Sequence, residues 1–535
     1  MTEASVVQES PPSPGAQRRR TTTGALVGAA AGIGGLGAAQ LVAGLVAQTS
    51  APLIVLGDAL IDFSPHWLVT FAKNTFGVHD KQVLLGGALV VALLLSAFAG
   101  VLAVRDSKLA PWVVLGLGAL AALAAATRPD AGMLAVAPSL LGGLVGFFVL
   151  NWLARIAREW LDVAAYVRDE GDAVQAPYEQ ALRRRAFTGL GVVGVGGVLL
   201  GGLGQVLGGR LRGAQDSRSA VRLPAPSSPA PAVPAGADLK IDGLEPFVTS
   251  NADFYRIDTA LVTPLLTAED WSLRIHGLVR REITLTWDQL LAGRLVERDI
   301  TLMCVSNPVG GDLTSNARWL GLPIKGLLEQ AGPSAEADMV LSTSSDGFTA
   351  GTPLDVLTDG RDALLAIGMN GEPLPFEHGF PVRIVVPGLY GYVSATKWVV
   401  DLEVTRFDRA EGYWTPRGWS AKGPVKTGSR IDVPKDGATV KAGPVTVAGL
   451  AWQEHVGIAK VEVQVDDGAW QAAVLAAQDT ADTWRQWRYD WTASPGRHRL
   501  RVRATNADLV TQTEAAAQPA PDGATGWHTI DVTVE

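Results

Sequence analysis

One cysteine, Cys304, stands in 535 residues. An internal disulfide is therefore excluded, and a lone thiol neither demands nor forbids an oxidising compartment. Histidine is scarce: there are seven, and none falls in a long apolar run. Those runs thus lack the paired histidines of a transmembrane b-type haem. They also lack central charges, so no ion or proton path of the kind a transporter needs is visible. Positive charge runs short in the second part of the chain. The whole carries 45 Lys+Arg and 53 Asp+Glu, net −8; residues 1–236 hold 18 and 14, net +4, which leaves −12 for residues 237–535. So acidic a portion argues against nucleic acid as a partner.

Apolar length is abundant in the first two fifths. About 20 apolar residues cross a bilayer, and five stretches approach that, near 24–47, 83–104, 110–127, 133–153 and 187–207. Residues 1–20 read as a disordered N-terminus. A cleaved signal peptide is the alternative for the first run, but further spans follow. Phe63, Trp67 and Phe71 mark an interfacial or external segment, and Trp152 and Trp160 an interface. The Gly197-x-x-x-Gly201 spacing permits close helix packing. With the N-terminus inside, the inner segments hold eleven Lys and Arg, Arg18 to Arg20 and Arg183 to Arg185 among them; the outer loops hold Lys73, Lys81 and Arg128. This positive-inside count predicts a multi-pass protein of the cytoplasmic membrane with an extracytoplasmic C-terminal portion. Arg184-Arg185-Ala186-Phe187 has the pattern of a twin-arginine signal, which makes the fifth run an expected internal signal of that kind; a topological anchor is the alternative. Residues 213–236, rich in Pro and Ala, read as an extended tether.

Cys304 ends an apolar run, Ile300-Thr-Leu-Met, that reads as a strand entering a turn-rich loop, Ser306 to Asp312. A thiol there can project into a cleft and serve as a soft metal ligand, or sit buried as a small hydrophobe. Thr286 caps a short helix, Ile324 to Ala331 is an amphipathic helix, and Val340 to Thr343 is a strand leading to Ser344-Ser-Asp-Gly. His276 lies in a strand and reads as structural. His378, Arg383 and Lys397 form a basic set on either side of a strand at 384–386. Residues 411–430 form an aromatic, basic connector. From 431 to 535 the pattern is alternating strands with an Asp467-Gly468 hairpin turn, fitting an immunoglobulin-like sandwich with Trp452, Trp470 and Trp491 in its core.

The segment from Cys304 to Ala317-Arg-Trp-Leu-Gly-Leu-Pro-Ile, the stretch Met369-Asn-Gly-Glu-Pro-Leu-Pro-Phe-Glu-His-Gly-Phe-Pro-Val-Arg and Ser394-Ala-Thr-Lys-Trp together resemble the sulfite oxidase family. The resemblance covers roughly residues 239–535. It implies an α+β molybdopterin domain at 237–410, followed by a dimerisation-type immunoglobulin-like domain, so a homodimer is one expectation and anchoring by the membrane half another. It implies a molybdenum–molybdopterin cofactor, with Cys304 as thiolate ligand to the metal. Asn251, Phe254, Tyr255, Asp346, His378, Arg383, Ser394, Thr396 and Lys397 are the expected cofactor contacts. Cys304, Asp346 and Phe348 are the expected catalytic positions. The implied reaction is two-electron oxygen-atom transfer to or from a small molecule, with electrons exchanged with a separate cytochrome or quinone-linked partner. Two departures point away from sulfite. Ile257 stands where animal sulfite oxidases carry an arginine, with Arg256 adjacent, and Phe348 stands where they carry a tyrosine. A sulfoxide or N-oxide reductase of the same fold is the alternative, and a cofactor-free, membrane-anchored binding module is the rival from another class.

Overall fold

The computed structural model describes residues 14–535 apart from 66, 67, 69, 70, 72–74, 77, 78, 129–131, 133, 171–173, 208 and 209. Two units are described in turn, residues 1–211 with 260–262, and residues 212–259 with 263–535.

The first unit is helical: α1 (Pro14–Val46), α2 (Pro52–Phe63), α3 (Asp80–Val104), α4 (Ala110–Ala126), α5 (Ala137–Glu170) and α6 (Ala176–Leu207). Helix α1 begins at Pro14, so residues 14–20 are helical where disorder was expected; residues 1–13 lie outside the described residues, as does Trp67. Among the described residues, four helices, α1, α3, α5 and α6, are long and apolar enough to cross a membrane. The expected third span coincides with a 17-residue apolar helix, α4, shorter than these four. At 1.5 Å per residue it reaches about 26 Å against a hydrocarbon core of about 30 Å.

Helix α1 packs against α3, α5 and α6. Glycine sets how closely. A Cβ on Gly28 would lie 1.9 Å from the Ser96 carbonyl, one on Gly37 2.0 Å from the Gly197 carbonyl, and one on Gly44 1.9 Å from the Gly204 carbonyl. The α1–α6 seam therefore runs through Gly197 and Gly204. Gly201, the expected second member, meets Gly37 only at 3.8 Å.

Helix α7 (Arg210–Ala220) crosses the boundary between the units in sequence, most of it in the second. The expected tether is therefore helical at its start, and the remainder is docked rather than free. Ala214 is fully buried in the core of the second unit. The Ser217 hydroxyl donates to Glu269 at 2.6 Å, and the Arg218 guanidinium to the Pro373 and Leu374 carbonyls at 2.8 Å. Ser228 bridges Val296, and Arg318 donates to the Pro231 carbonyl at 3.0 Å. Pro and Ala carry no signal that distinguishes a docked extended segment from a loose one.

The catalytic part of the second unit has two sheets. One has the order β2 (Ile283–Thr286), β1 (Ser272–Gly277), β10 (Val399–Thr405), β5 (Met339–Ser344), β6 (Thr349–Pro353). The other runs β3 (Val296–Met303), β4 (Thr314–Pro323), β7 (Leu364–Met369), β8 (Glu372–Pro373), with β9 (Arg383–Val385) also pairing with β7. Helix α8 (Trp287–Leu291) starts from a capping box in which Thr286 and Gln289 satisfy each other's backbone N–H. Helix α9 (Ile324–Ala331) buries Ile324, Leu327, Leu328 and Ala331, its one apolar stripe. Trp271, Trp287, Trp319 and Leu364 to Ile367 sit in the shared core.

The C-terminal part is a two-sheet sandwich. The sheets are β11 (Gly428–Val433), β13 (Gly443–Trp452), β17 (Arg485–Ala493), β16 (Val474–Leu475), and β12 (Thr439–Val440), β19 (His528–Val534), β18 (Gly496–Asn506), β14 (Ile458–Val465), β15 (Gln471–Ala472). Trp491 lies in the sandwich core. Trp452 faces the other way and clusters with Met303, Val305 and Tyr390. Trp470 is half-exposed, against Trp527 at 4.8 Å and beneath the Arg503 guanidinium at 4.2 Å, and so is not core.

Candidate active site

Cys304 stands one residue beyond β3, buried at 8% exposure. Its N–H donates to Leu313 O at 2.9 Å and its carbonyl accepts from Asn307 N–H at 3.1 Å, which fixes the loop that follows. The Ser306 N–H points to Sγ at 3.4 Å, a contact that favours the thiolate. Arg430, in β11, reaches that loop by donating to Gly311 O at 2.8 Å. Arg417 instead lies on the Tyr413 ring at 3.7 Å, and Lys426 pairs with Asp522 at 2.8 Å.

Asn251, Phe254 and Tyr255 come together through a short polar turn. The Asn251 side chain is held by Asn370 Nδ2 at 2.8 Å and by Met369 O at 3.3 Å. Phe254 stacks on Tyr255 at 5.4 Å and presents an edge-to-face contact to Trp319 at 5.6 Å and to His378 at 5.4 Å. Burial pushes the Tyr255 phenol up; the Cys304 thiolate adds to this and the Arg383 guanidinium opposes it. The Tyr255 hydroxyl and the Met303 carbonyl each lie 3.7 Å from where a Cβ on Gly391 would stand.

Arg383 opens β9 at 5% exposure, lying 5.2 Å over the Trp319 ring. Its nitrogens reach only carbonyls, His378 O at 3.2 Å and Ile384 O and Ala395 O at 3.4 Å. Among the described residues it makes no ion pair with a carboxylate, and burial lowers its pKa to about 10. Burial, then Arg383 and Lys397, hold His378 down to about 4. A neutral imidazole bonded to the Asn251 carbonyl, 3.1 Å from Nε2, must carry its proton on that nitrogen. Gly379 lets these groups converge: φ is +107°, and a Cβ there would lie 3.0 Å from Arg383 Cβ and 3.1 Å from Lys397 Cβ.

Lys397 is 9% exposed and is lowered to about 8 by burial, against the pull of Asp258. It donates to Asp258 at 2.7 Å and to Glu377 O at 2.9 Å. Asp258 also accepts from Arg256 at 3.1 Å, so one carboxylate serves two cations. Asp346 lies in the turn that follows β5. Burial raises it, Ser344 and the Phe348 N–H (3.1 Å) lower it, and Asp258 adds to the rise. Phe348 is half-buried, its ring 5.8 Å from that of Tyr413. Ser394 and Thr396 are buried with their hydroxyls engaged inside the protein. Ser394 donates to Tyr390 O at 3.0 Å, and Thr396 shares a 2.7 Å bond with Ser342. Asp258 was missed in the sequence; the only local signal is Arg256-x-Asp258.

A buried thiol, a buried guanidinium without a carboxylate and a neutral imidazole fit a thiolate-bound, phosphate-bearing group. A cleft of about 660 Å³ lies elsewhere in this unit, lined by Ser420, Lys422, Lys426 and Asp522 among others, and none of the expected site residues borders it.

Residues 260–414 match the family model described as the oxidoreductase molybdopterin binding domain, and residues 429–532 that of a bacterial Ig domain. An uncharacterized oxidoreductase, YuiH, of Bacillus subtilis is 34% identical over 153 residues, which span 29% of this chain and 74% of that protein. The chain belongs to the sulfite oxidase family of molybdopterin-dependent oxidoreductases. Human mitochondrial sulfite oxidase is 28% identical over 305 residues, covering 48% of this chain and 55% of that protein. The mouse enzyme is 30% identical over 291 residues, covering 46% and 53%. The chain therefore spans about half the length of the sulfite oxidases it matches. The crystal structure of the sulfane dehydrogenase SoxCD from Paracoccus pantotrophus covers 53% of this chain and 81% of its own at 24% identity, TM-score 0.47. As a member of this family the chain carries a molybdopterin-binding oxidoreductase domain, which implies a molybdenum cofactor and argues against the cofactor-free binding module.

Proposed function

We propose that this chain is a membrane-anchored oxidoreductase that carries out two-electron oxygen-atom transfer on the outer face of the cytoplasmic membrane. The favoured substrate class is an uncharged sulfoxide or N-oxide rather than sulfite. The observation that carries this is the grouping of the buried Arg383 guanidinium over the Trp319 ring with Phe254 and His378, while the Tyr255 hydroxyl lies by Gly391 next to the carbonyl of Met303, the residue before the buried Cys304. In this reading Cys304 ligates molybdenum. Arg383, His378 and Asn251 hold the pterin and its phosphate, while Lys397, held by Asp258, adds charge from one side. Ser394 and Thr396 shape the wall through their backbone. When bound, the cofactor supplies redox chemistry that no side chain offers. The chain contributes position and dryness: Phe254 and Trp319 wall off water, and the Nε2–H of His378 is committed to Asn251.

The substrate class rests on charge. Ile257 is 48% exposed and apolar, and the adjacent Arg256 is tied to Asp258 and, at 2.9 Å, to Thr263. Neither offers a sulfite anion an unpaired cation. Phe348 brings no hydroxyl. The outer-face location rests on α4. If it spans, five crossings put residues 212–535 opposite the N-terminus; if not, four put them on the same side. We take α4 as spanning, since its 17 residues carry no charge and a local thinning of the bilayer covers the shortfall. Electrons would pass to or from a separate cytochrome or quinone-linked carrier.

The test is turnover by detergent-purified full-length protein, with an artificial electron donor or acceptor. Reduction of dimethyl sulfoxide or trimethylamine N-oxide well above the rate of sulfite oxidation is expected. Robust sulfite oxidation with no reduction of neutral oxides would overturn the substrate assignment.

A further inference from the structure

The sandwich domain is tied to the segment that carries Cys304 at three successive places. Before the thiol, the Thr301 N–H of β3 donates to Asp482 O at 3.0 Å, and the Thr301 hydroxyl accepts from the Trp484 N–H at 2.9 Å. On either side of the thiol, Met303 and Val305 share a buried cluster with Trp452 and Trp484. After it, the loop 306–312 meets β11 and β19 through Arg430 and His528.

The third tie is built for direction. The Asp432 carboxylate accepts from Arg430 Nε at 2.7 Å and from one terminal nitrogen at 3.3 Å. The other terminal nitrogen donates to Gly311 O at 2.8 Å. Both side chains are buried, at 7% and 5% exposure. Such a pair adds little net stability, because desolvation offsets its attraction. What it supplies is orientation: the carboxylate fixes the guanidinium plane, and the plane aims its remaining donor at the loop. Beside it, His528 Nδ1 accepts from the Ile431 N–H at 3.0 Å, which holds the imidazole against Gly310. A Cβ on Gly310 would stand 2.3 Å from that ring, and its φ is +77°. Glycine lets the loop pass there.

We propose that Arg430, oriented by Asp432, is a positioning residue for Cys304. It holds the loop that sets where the thiolate stands, so the sandwich domain braces the proposed metal ligand. This rests on Cys304 as that ligand and needs no particular substrate.

The experiment uses the full-length, molybdenum-loaded protein and two variants, Arg430→Lys and the double substitution Arg430→Met with Asp432→Leu. Lys keeps a cation beside Asp432 but lacks the planar fork that reaches both the carboxylate and Gly311 O. The double variant removes the pair together, so no charge is left buried alone. Arg503→Met, in β18 of the same domain, is the control. Hydrogen exchange follows the amides of 304–313, and iodoacetamide labels Cys304, the sole thiol of the chain. In both variants the loop amides exchange, and the thiol labels, roughly tenfold faster or more, the loss of one charge-assisted bond. Amides of β17 and β18 keep their wild-type rates, and the control changes neither readout. Loop rates that stay unchanged, or that rise only in step with β17 and β18, overturn the inference. The wild type gives a second measurement that needs no variant to fold: in mild urea, amides 304–313 and those of β11 should open together. Separate opening overturns the brace. Amide exchange reads the loop whether or not Cys304 binds molybdenum, so the brace and the ligation fail separately.

Discussion

Arg383 and Glu454 are buried ionisable groups of opposite kinds, and each makes a prediction at the scale of one side chain. Among the described residues, Arg383 donates to carbonyls and makes no ion pair with a carboxylate. Arg383→Gln should keep the fold and lose pterin, since a charged hydrogen bond contributes about 1.5–3 kcal/mol; pterin assay of the purified variant checks this. Glu454 has a folded pKa raised to about 8 from an ordinary 4.5. The protonated form is the one the fold prefers, so its contribution is fully present below 4.5 and is lost as pH rises to about 8. Glu454→Gln should therefore gain in Tm over wild type progressively across that window, and a constant difference from pH 5 to pH 8 would contradict the assignment. Cys304, His378 and Arg383 are candidates that the sequence offers because they fall inside long ordered motifs. Asp258 is not among them: Lys397, its partner, is 139 residues away, and a lone Asp beside an Arg is ordinary surface chemistry.

At the scale of elements, local rules read well where one segment settles its own structure. The capping box before α8 and the single apolar stripe of α9 are of this kind. They read poorly where a distant surface decides, as for residues 213–236, which are held by Glu269, Pro373 and Val296. The glycine seams were half legible, since spacing gives a stripe but not the partner carbonyl. Gly44→Leu should separate α1 from α6, because even a Cβ meets the Gly204 carbonyl at 1.9 Å. A loss of detergent-resistant protein is the expected readout. Gly379→Ala should cost about 1 kcal/mol or more through its positive φ and should also weaken pterin retention, because the new methyl crowds Arg383 and Lys397.

For the whole molecule, the family and its three-part architecture were legible, whereas the number of crossings turned on one 17-residue helix. Composition shows that α4 is apolar but not whether a bilayer accommodates it. The outer-face assignment predicts that residues 212–535 are cut by protease added to spheroplasts, and protection there would place them inside. Arg184 and Arg185 are exposed in α6. If they act as a twin-arginine signal, replacing both with Lys preserves charge and should abolish that accessibility. If they serve only as topological anchors, accessibility survives.

The most direct measurement is X-ray absorption at the molybdenum edge on the wild-type protein and on Cys304→Ser. A cofactor held by this thiol predicts molybdenum in the purified wild type, with one sulfur neighbour missing in the variant and turnover lost while the fold persists. Molybdenum whose sulfur shell is the same in both proteins, or an active Cys304→Ser, would contradict it.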